Sequence, residues 1–216
     1  IVQKCYESVC KHSNQKIILL NDQNLADYIG LPEYIEKKKD AGQIPMAGYA
    51  DLMRFALLEH YGGTWIDSTV YLTDPIPDMI LNSDFFAVRN SLLLIDNPVL
   101  YPAWFLHAKK GNKTIREIRN VAFAYWLKNE HVIEYLLPNL IITLVVKSNP
   151  EVEKAIPYMN SDYSEYLVKV LADDYSEEKW NWIKKLTGIH KLTYKLSPDI
   201  EAEGTFYKAL IENSIE

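Results

Sequence analysis

Asp51 and Arg54 lie three positions apart in an apolar stretch, and Asp67 and Thr69 follow two apart a little further on. On a helix, side chains three apart emerge on one face. A carboxylate and a guanidinium placed in this way can grip sugar hydroxyls, the carboxylate accepting and the guanidinium donating. The same spacing also serves an ordinary intrahelical ion pair, worth about 0.2–0.5 kcal/mol. On a strand, residues two apart share a side, so Asp67 and Thr69 would face together and Ser68 the other way. Asp67, with a hydroxyl and water, can hold a divalent cation. Such a cation neutralises the diphosphate of a nucleotide-sugar and stabilises it as a leaving group. The alternative for Asp67 is to cap a loop or to pair with a neighbouring Arg.

These groups need a helix, a stop and a strand to position them. Leu52, Phe55, Ala56 and Leu58 follow a helical period, which predicts a helix over Ala47–Tyr61. Gly62-Gly63 supplies its C-terminal stop. Thr64–Leu72 (TWIDSTVYL) is rich in β-formers and reads as a strand with Asp67 at its middle, ended by Pro75 and Pro77. Elsewhere the pattern predicts helices over 1–13, to Tyr28, from Pro32 to about Lys39, and over Trp104–Lys109, Ile115–Glu130 and Val132–Leu137. Further helices are expected over Glu151–Tyr158, Glu165–Leu171, Glu177–Thr187 and Phe206–Ile211. Strands are expected at Lys16–Leu20, Phe85–Arg89, Leu92–Ile95 and Leu192–Leu196. Strands alternating with helices indicate an α/β fold, and a chain of 216 residues fits one domain over 1–216.

The stretch Ala50–Val70, A-D-L-M-R-F-A-L-L-E-H-Y-G-G-T-W-I-D-S-T-V, resembles the signature of the capsular polysaccharide synthesis glycosyltransferases. Those proteins are related to the sugar transferases with a DxD motif, among them yeast-type mannosyltransferases and the glucosylating clostridial toxins. Weaker similarities extend the match: Cys5-Tyr6-Glu7-Ser8 followed by KIILLN, Tyr125-Trp126, and His190-Lys191-Leu192-Thr193-Tyr194-Lys195 followed by Gly204-Thr205-Phe206-Tyr207.

The resemblance implies a GT-A-like nucleotide-sugar-binding domain with a mixed central sheet and flanking helices. The chain as given would lack the first strand of that domain. It implies that Asp51 and Arg54 contact the donor sugar, that Asp67 sits near the nucleotide and a Mn2+ or Mg2+ ion, and that Trp65, Ser68 and Thr69 belong to the same donor site. Position 69 carries Thr where strict DxD enzymes have a second Asp, a form the capsular branch often shows. Asp74 and His190 are then candidates for a further metal ligand. The implied reaction is hexosyl transfer, with retention, from a nucleotide-sugar to a glycan or lipid-linked acceptor in bacterial surface-polysaccharide synthesis. It would take place in the cytoplasm, at or near the inner face of the membrane. Arg89-Asn90, Asp96-Asn97-Pro98, Trp104 and His107 are candidates to line the cleft or meet the acceptor. A turn serves equally for Asp96–Pro98, and core packing is the expectation for Trp104.

Composition narrows the alternatives. Lys and Arg number 23 against 29 Asp and Glu, for a net charge of −6, with no basic stripe, which argues against a nucleic-acid partner. The only cysteines, Cys5 and Cys10, would point to different faces of a helix, so no bond between them is expected. The most apolar run, Leu136–Val146, is too short to span a bilayer. A non-catalytic binding or scaffold subunit with a transferase fold is the competing reading. A metal-dependent phosphoester hydrolase would want a denser cluster of metal ligands than this sequence offers.

Overall fold

Cys5, Ser8 and Val9 recur at helical spacing, and in the computed structural model they form the buried face of the first helix. The structure describes residues 1–91, 97–196, 200 and 202–212. In chain order, helices α1 (Val2–His12), α2 (Leu25–Tyr28), α3 (Glu33–Asp40) and α4 (Met46–Tyr61) precede strands β1 (Gly63–Ile66) and β2 (Val70–Leu72). A short helix α5 (Asp78–Leu81) leads to β3 (Phe85–Ala87) and β4 (Phe105–Ala108). Then come α6 (Lys113–Lys128), α7 (Leu137–Lys147), α8 (Pro150–Ala155), α9 (Ser161–Ser164), α10 (Tyr166–Lys169), α11 (Glu177–Leu186), β5 (Ile189–Lys191) and α12 (Phe206–Ile211). The class is mixed α/β with small sheets.

The chain divides into two compact units, each with its own core. One comprises Ile18–Trp65 and Asp78–Met159. Here β4 lies between β1 and β3. It runs antiparallel to β3, with Phe86 opposite His107. Helices α4, α6 and α7 close a core that includes Phe55, Tyr101, Leu106, Ile115, Ile118 and Ile142. Asn112 caps α6 by accepting from the Thr114 and Ile115 N–H groups.

The other unit comprises Ile1–Ile17, Ile66–Pro77 and Asn160–Glu216. Its ladder is β2 against β5, antiparallel, pairing Val70 with Lys191, Tyr71 with His190 and Leu72 with Ile189. Helix α1 packs on β2 through a specific bond: the Leu72 N–H donates to Ser8 Oγ at 2.9 Å, and Ser8 Oγ donates to the Cys5 carbonyl at 2.7 Å. Leu167, Leu171, Trp180, Ile183 and Phe206 complete this core. Both cysteines are free thiols, Cys5 buried and Cys10 exposed.

Several expected elements differ. Thr64–Leu72 is not one strand. It breaks at Asp67-Ser68-Thr69 into β1 and β2, which belong to different sheets. The Val70 N–H donates to the Asp67 carbonyl at 2.9 Å, closing a turn that Asp favours at its first position. Among the described residues there are two small sheets rather than one central one.

Trp104–Lys109, expected as a helix, supplies β4. All four β4 residues are buried, and a strand covered on both sides shows no alternation to distinguish it from a buried helix. Val132–Leu137 is not helical as a whole; α7 starts at Leu137, with Pro138 in its first turn, where a missing N–H costs nothing. Lys16–Leu20 forms no ladder among the described residues, and Ile18 and Leu19 are exposed there. A lone extended segment without a neighbour to take its N–H and C=O groups is no strand. The late strand sits at Ile189–Lys191 rather than Leu192–Leu196. The strand expected at Leu92–Ile95 lies outside the described residues, as does Asp96.

Candidate functional site

The unit containing α4 carries the first pair. Helical spacing brings Arg54 Nη1 to 2.8 Å from Asp51 Oδ1. The same nitrogen donates to the Ala103 carbonyl at 2.7 Å. The guanidinium also lies over the Trp65 ring, 4.9 Å from its centroid. With side chains only 9% and 17% exposed, Arg54 and Asp51 are no solvated surface pair. A buried guanidinium must be paired, and Arg54 has carboxylate, carbonyl and ring around it. Its clearest effect is to hold Asp51 in place and to tie α4 to the segment before β4.

The turn into β1 is set by glycine. Gly62 has φ 73° and a Cβ there would lie 2.5 Å from the Lys110 backbone nitrogen, so no other residue fits. Beyond it, the Thr64 hydroxyl and His107 Nδ1 are 2.9 Å apart. Burial is the main cause holding the His107 imidazole below its usual range; Lys109 adds to it and the Leu81 backbone opposes it. Trp104 is buried in the core as expected. Arg89 is directed to Glu153 at 3.3 Å and to the Tyr101 ring. Asn97 Oδ1 accepts from the Val99 N–H at 2.9 Å, which is the turn role.

The second unit carries Asp67, Ser68, Thr69, Asp74 and His190. The turn exposes Ser68 and buries Thr69. Facing Asp67 and Thr69 is a residue that sequence reasoning did not single out. The Lys191 ammonium lies 3.5 Å from Asp67 Oδ2 and donates to the Thr69 hydroxyl. The β2–β5 register puts Lys191 beside Val70. The Leu192 N–H, donating to the Thr69 carbonyl at 2.8 Å, fixes the same edge. The only hint in the sequence was position: Lys191 follows His190 in the HKLTYK segment, and neighbours on a strand face opposite ways.

That alternation turns His190 away from Asp67. His190 is fully buried, its Nε2 is 3.0 Å from Thr73 Oγ1, and Trp180 lies beside it. Burial brings its pKa down to about 4. Asp74 is exposed and follows the far end of β2, packed against Gly188, where a Cβ would come within 2.6 Å of the Asp74 Cβ. The expected metal ligands are therefore not gathered. Asp67 and Thr69 share one ammonium, and among the described residues no group of three or more His, Cys, Asp or Glu could hold a metal ion. The donor set does not fit a divalent cation.

A family model, capsular polysaccharide synthesis protein, matches residues 1–210. The chain belongs to that family. The match extends into both units and includes Asp51, Arg54, Asp67, Thr69 and Lys191. No curated protein matches the chain. Membership supports a role in capsule biosynthesis. Among the described residues no helix is long and apolar enough to cross a membrane.

Proposed function

We propose that this chain is a glycosyltransferase of capsule synthesis, moving a sugar from a nucleotide-sugar to a glycan or lipid-linked acceptor with retention of configuration. The single observation that carries the reading is the Asp51–Arg54 pair, held at 2.8 Å and braced by Ala103 and Trp65, in a chain of the capsular family. A carboxylate fixed by a buried guanidinium is a pre-positioned acceptor for sugar hydroxyls, which lowers the ordering cost of binding. Asp67 and the turn residues Ser68 and Thr69 are assigned to the nucleotide end of the donor, in line with the resemblance to DxD-motif transferases and a GT-A-like fold. Positioning and charge stabilisation of the departing diphosphate supply the catalysis. Because the donor set does not fit a metal, no step is routed through one. The reaction is placed on the cytoplasmic side, where nucleotide-sugars are made.

The test is a thermal-shift titration of the protein with a panel of UDP- and GDP-sugars, with and without Mn2+. One donor should stabilise the protein by a few kcal/mol at about a hundred times its Kd. The second reading, a non-catalytic binding subunit, draws on the engagement of Asp67 by Lys191. A protein that binds a donor yet neither transfers nor hydrolyses its sugar would establish that reading in place of the first.

A further inference from the structure

Resting on the transferase reading, we propose that Lys191 is a built-in cation for the donor diphosphate, taking the part that the DxD relatives give to a divalent metal. The residues expected to gather a metal are instead arranged around an ammonium. Lys191 Nζ is 3.5 Å from Asp67 Oδ2 and donates to the Thr69 hydroxyl. Its position is fixed by three backbone features: the Val70–Lys191 register, the Asp67–Val70 turn, and the Leu192 N–H on the Thr69 carbonyl. Alternation along β5 turns His190 to the other side, and Asp74 lies past the opposite end of β2. Lys191 brings to Asp67 a positive charge carried by the chain itself.

The chemistry suits an anion. An ammonium has three donors, and two have partners among the described residues. At 3.5 Å the Asp67 contact is longer than a charge-assisted hydrogen bond of roughly 2.7–2.9 Å, so the ammonium can shift toward a phosphate oxygen without leaving its partners. Lysine acts on phosphate as a compact point charge. The side chain is 22% exposed, so it is reachable but partly desolvated, which strengthens its field. Glu165 and Cys5 lie within its electrostatic reach.

In the transfer, the bond between the anomeric carbon and the diphosphate oxygen breaks, and its electron pair goes to that oxygen. The acceptor hydroxyl oxygen bonds the anomeric carbon, and its proton passes to the departing diphosphate. Lys191 stays protonated throughout and offsets the charge gathering on the leaving group. Asp67 and Thr69 are positioning residues for it.

The experiment is calorimetric binding of UDP, GDP, ADP, CDP and dTDP to the full chain, in EDTA and in Mn2+, with Lys191→Met and Lys191→Arg alongside. One nucleoside diphosphate should bind in EDTA with an affinity that Mn2+ changes less than about threefold. Lys191→Met should weaken it at least tenfold, and Lys191→Arg should recover part of the loss. Circular dichroism establishes that each variant is folded. Thr69→Val, which keeps the charge but removes one support, should weaken binding by less than Lys191→Met; this holds the proposal testable if Lys191→Met does not fold. Binding that requires Mn2+ and is indifferent to Lys191→Met would overturn the proposal while leaving the transferase reading intact. Failure of every nucleoside diphosphate and nucleotide-sugar to bind under both conditions would sink both.

Discussion

The two carboxylate–cation pairs differ in how they are made. Asp51 and Arg54 are three residues apart on one helix, and their 2.8 Å contact follows from helical geometry alone. Asp67 and Lys191 come from distant parts of the sequence and meet at 3.5 Å only because β2 and β5 pair in one register. In the first pair Arg54 is buried and braced by a carbonyl and an indole, and Asp51 is half-buried. The second is more exposed, and its ammonium is shared with a hydroxyl. A pair built locally, with its guanidinium buried, is suited to present a fixed carboxylate. A pair built by a ladder and left partly open can exchange one partner for a ligand.

Breaking the local pair should have the largest effect on stability. Arg54→Ala removes the 2.8 Å partner of Asp51 and the donor to the Ala103 carbonyl, and an expected loss of about 1–3 kcal/mol follows from leaving a buried acceptor unsatisfied. Urea denaturation measures it, and a loss under 1 kcal/mol would show that the site relaxes or hydrates freely.

Asp67→Ala should reduce sugar transfer at least about 100-fold, roughly 3 kcal/mol of barrier, while the midpoint of urea unfolding barely moves. Unchanged turnover would remove Asp67 from the site.

The third prediction concerns pH. Burial keeps His190 at about 4, below the 6.5 of an exposed imidazole. Unfolding lets it take a proton, so its contribution to stability is intact above pH 6.5. That contribution falls as pH drops toward 4, by on the order of 3 kcal/mol. His12 and His107, both held low chiefly by burial, act in the same direction. Glu165, whose pKa burial raises, acts against them. Unfolding free energies at pH 7.5 and 5 should therefore converge in His190→Gln, and an undiminished difference would assign the acid sensitivity to other groups.

The smallest effect should be on the stability of Lys191→Met. A partly exposed ion pair contributes about 0–1 kcal/mol, so a thermal melt should shift by only a few degrees. A loss as large as that of Arg54→Ala would erase the distinction between the two pairs.

What the sequence showed and what it hid divide along the same line. Helix α4, its Gly62-Gly63 stop and the Asp51–Arg54 contact are local, and residue spacing was enough to read them. α12 began and ended as its apolar period indicated, and α11 fell within one residue of its expected end. β4 reads as a helix in the sequence because full burial erases the alternation that marks a strand. Asp67 looked like a mid-strand residue because Thr, Trp, Ile and Val surround it, whereas a single hydrogen bond from Val70 makes it the start of a turn. Lys191 carried no local sign of importance, since only the register of a distant strand gives it partners.

That register has a consequence for the order in which the molecule can be built. β2 ends at Leu72, and its partner β5 begins at Ile189. At a synthesis rate of about 5–20 residues per second, β2 waits on the order of ten seconds for its neighbour to leave the ribosome. During that interval Val70, Tyr71 and Leu72 form an apolar edge open to other chains. Helix α1 is already made by then, and its Ser8 hydroxyl can take the Leu72 N–H. That bond closes the edge of β2 opposite the one that β5 later takes, because the groups flanking β2 that bond to the β5 side are those of Thr69 and Thr73. Asp67 gains its lysine only once residue 191 has been made.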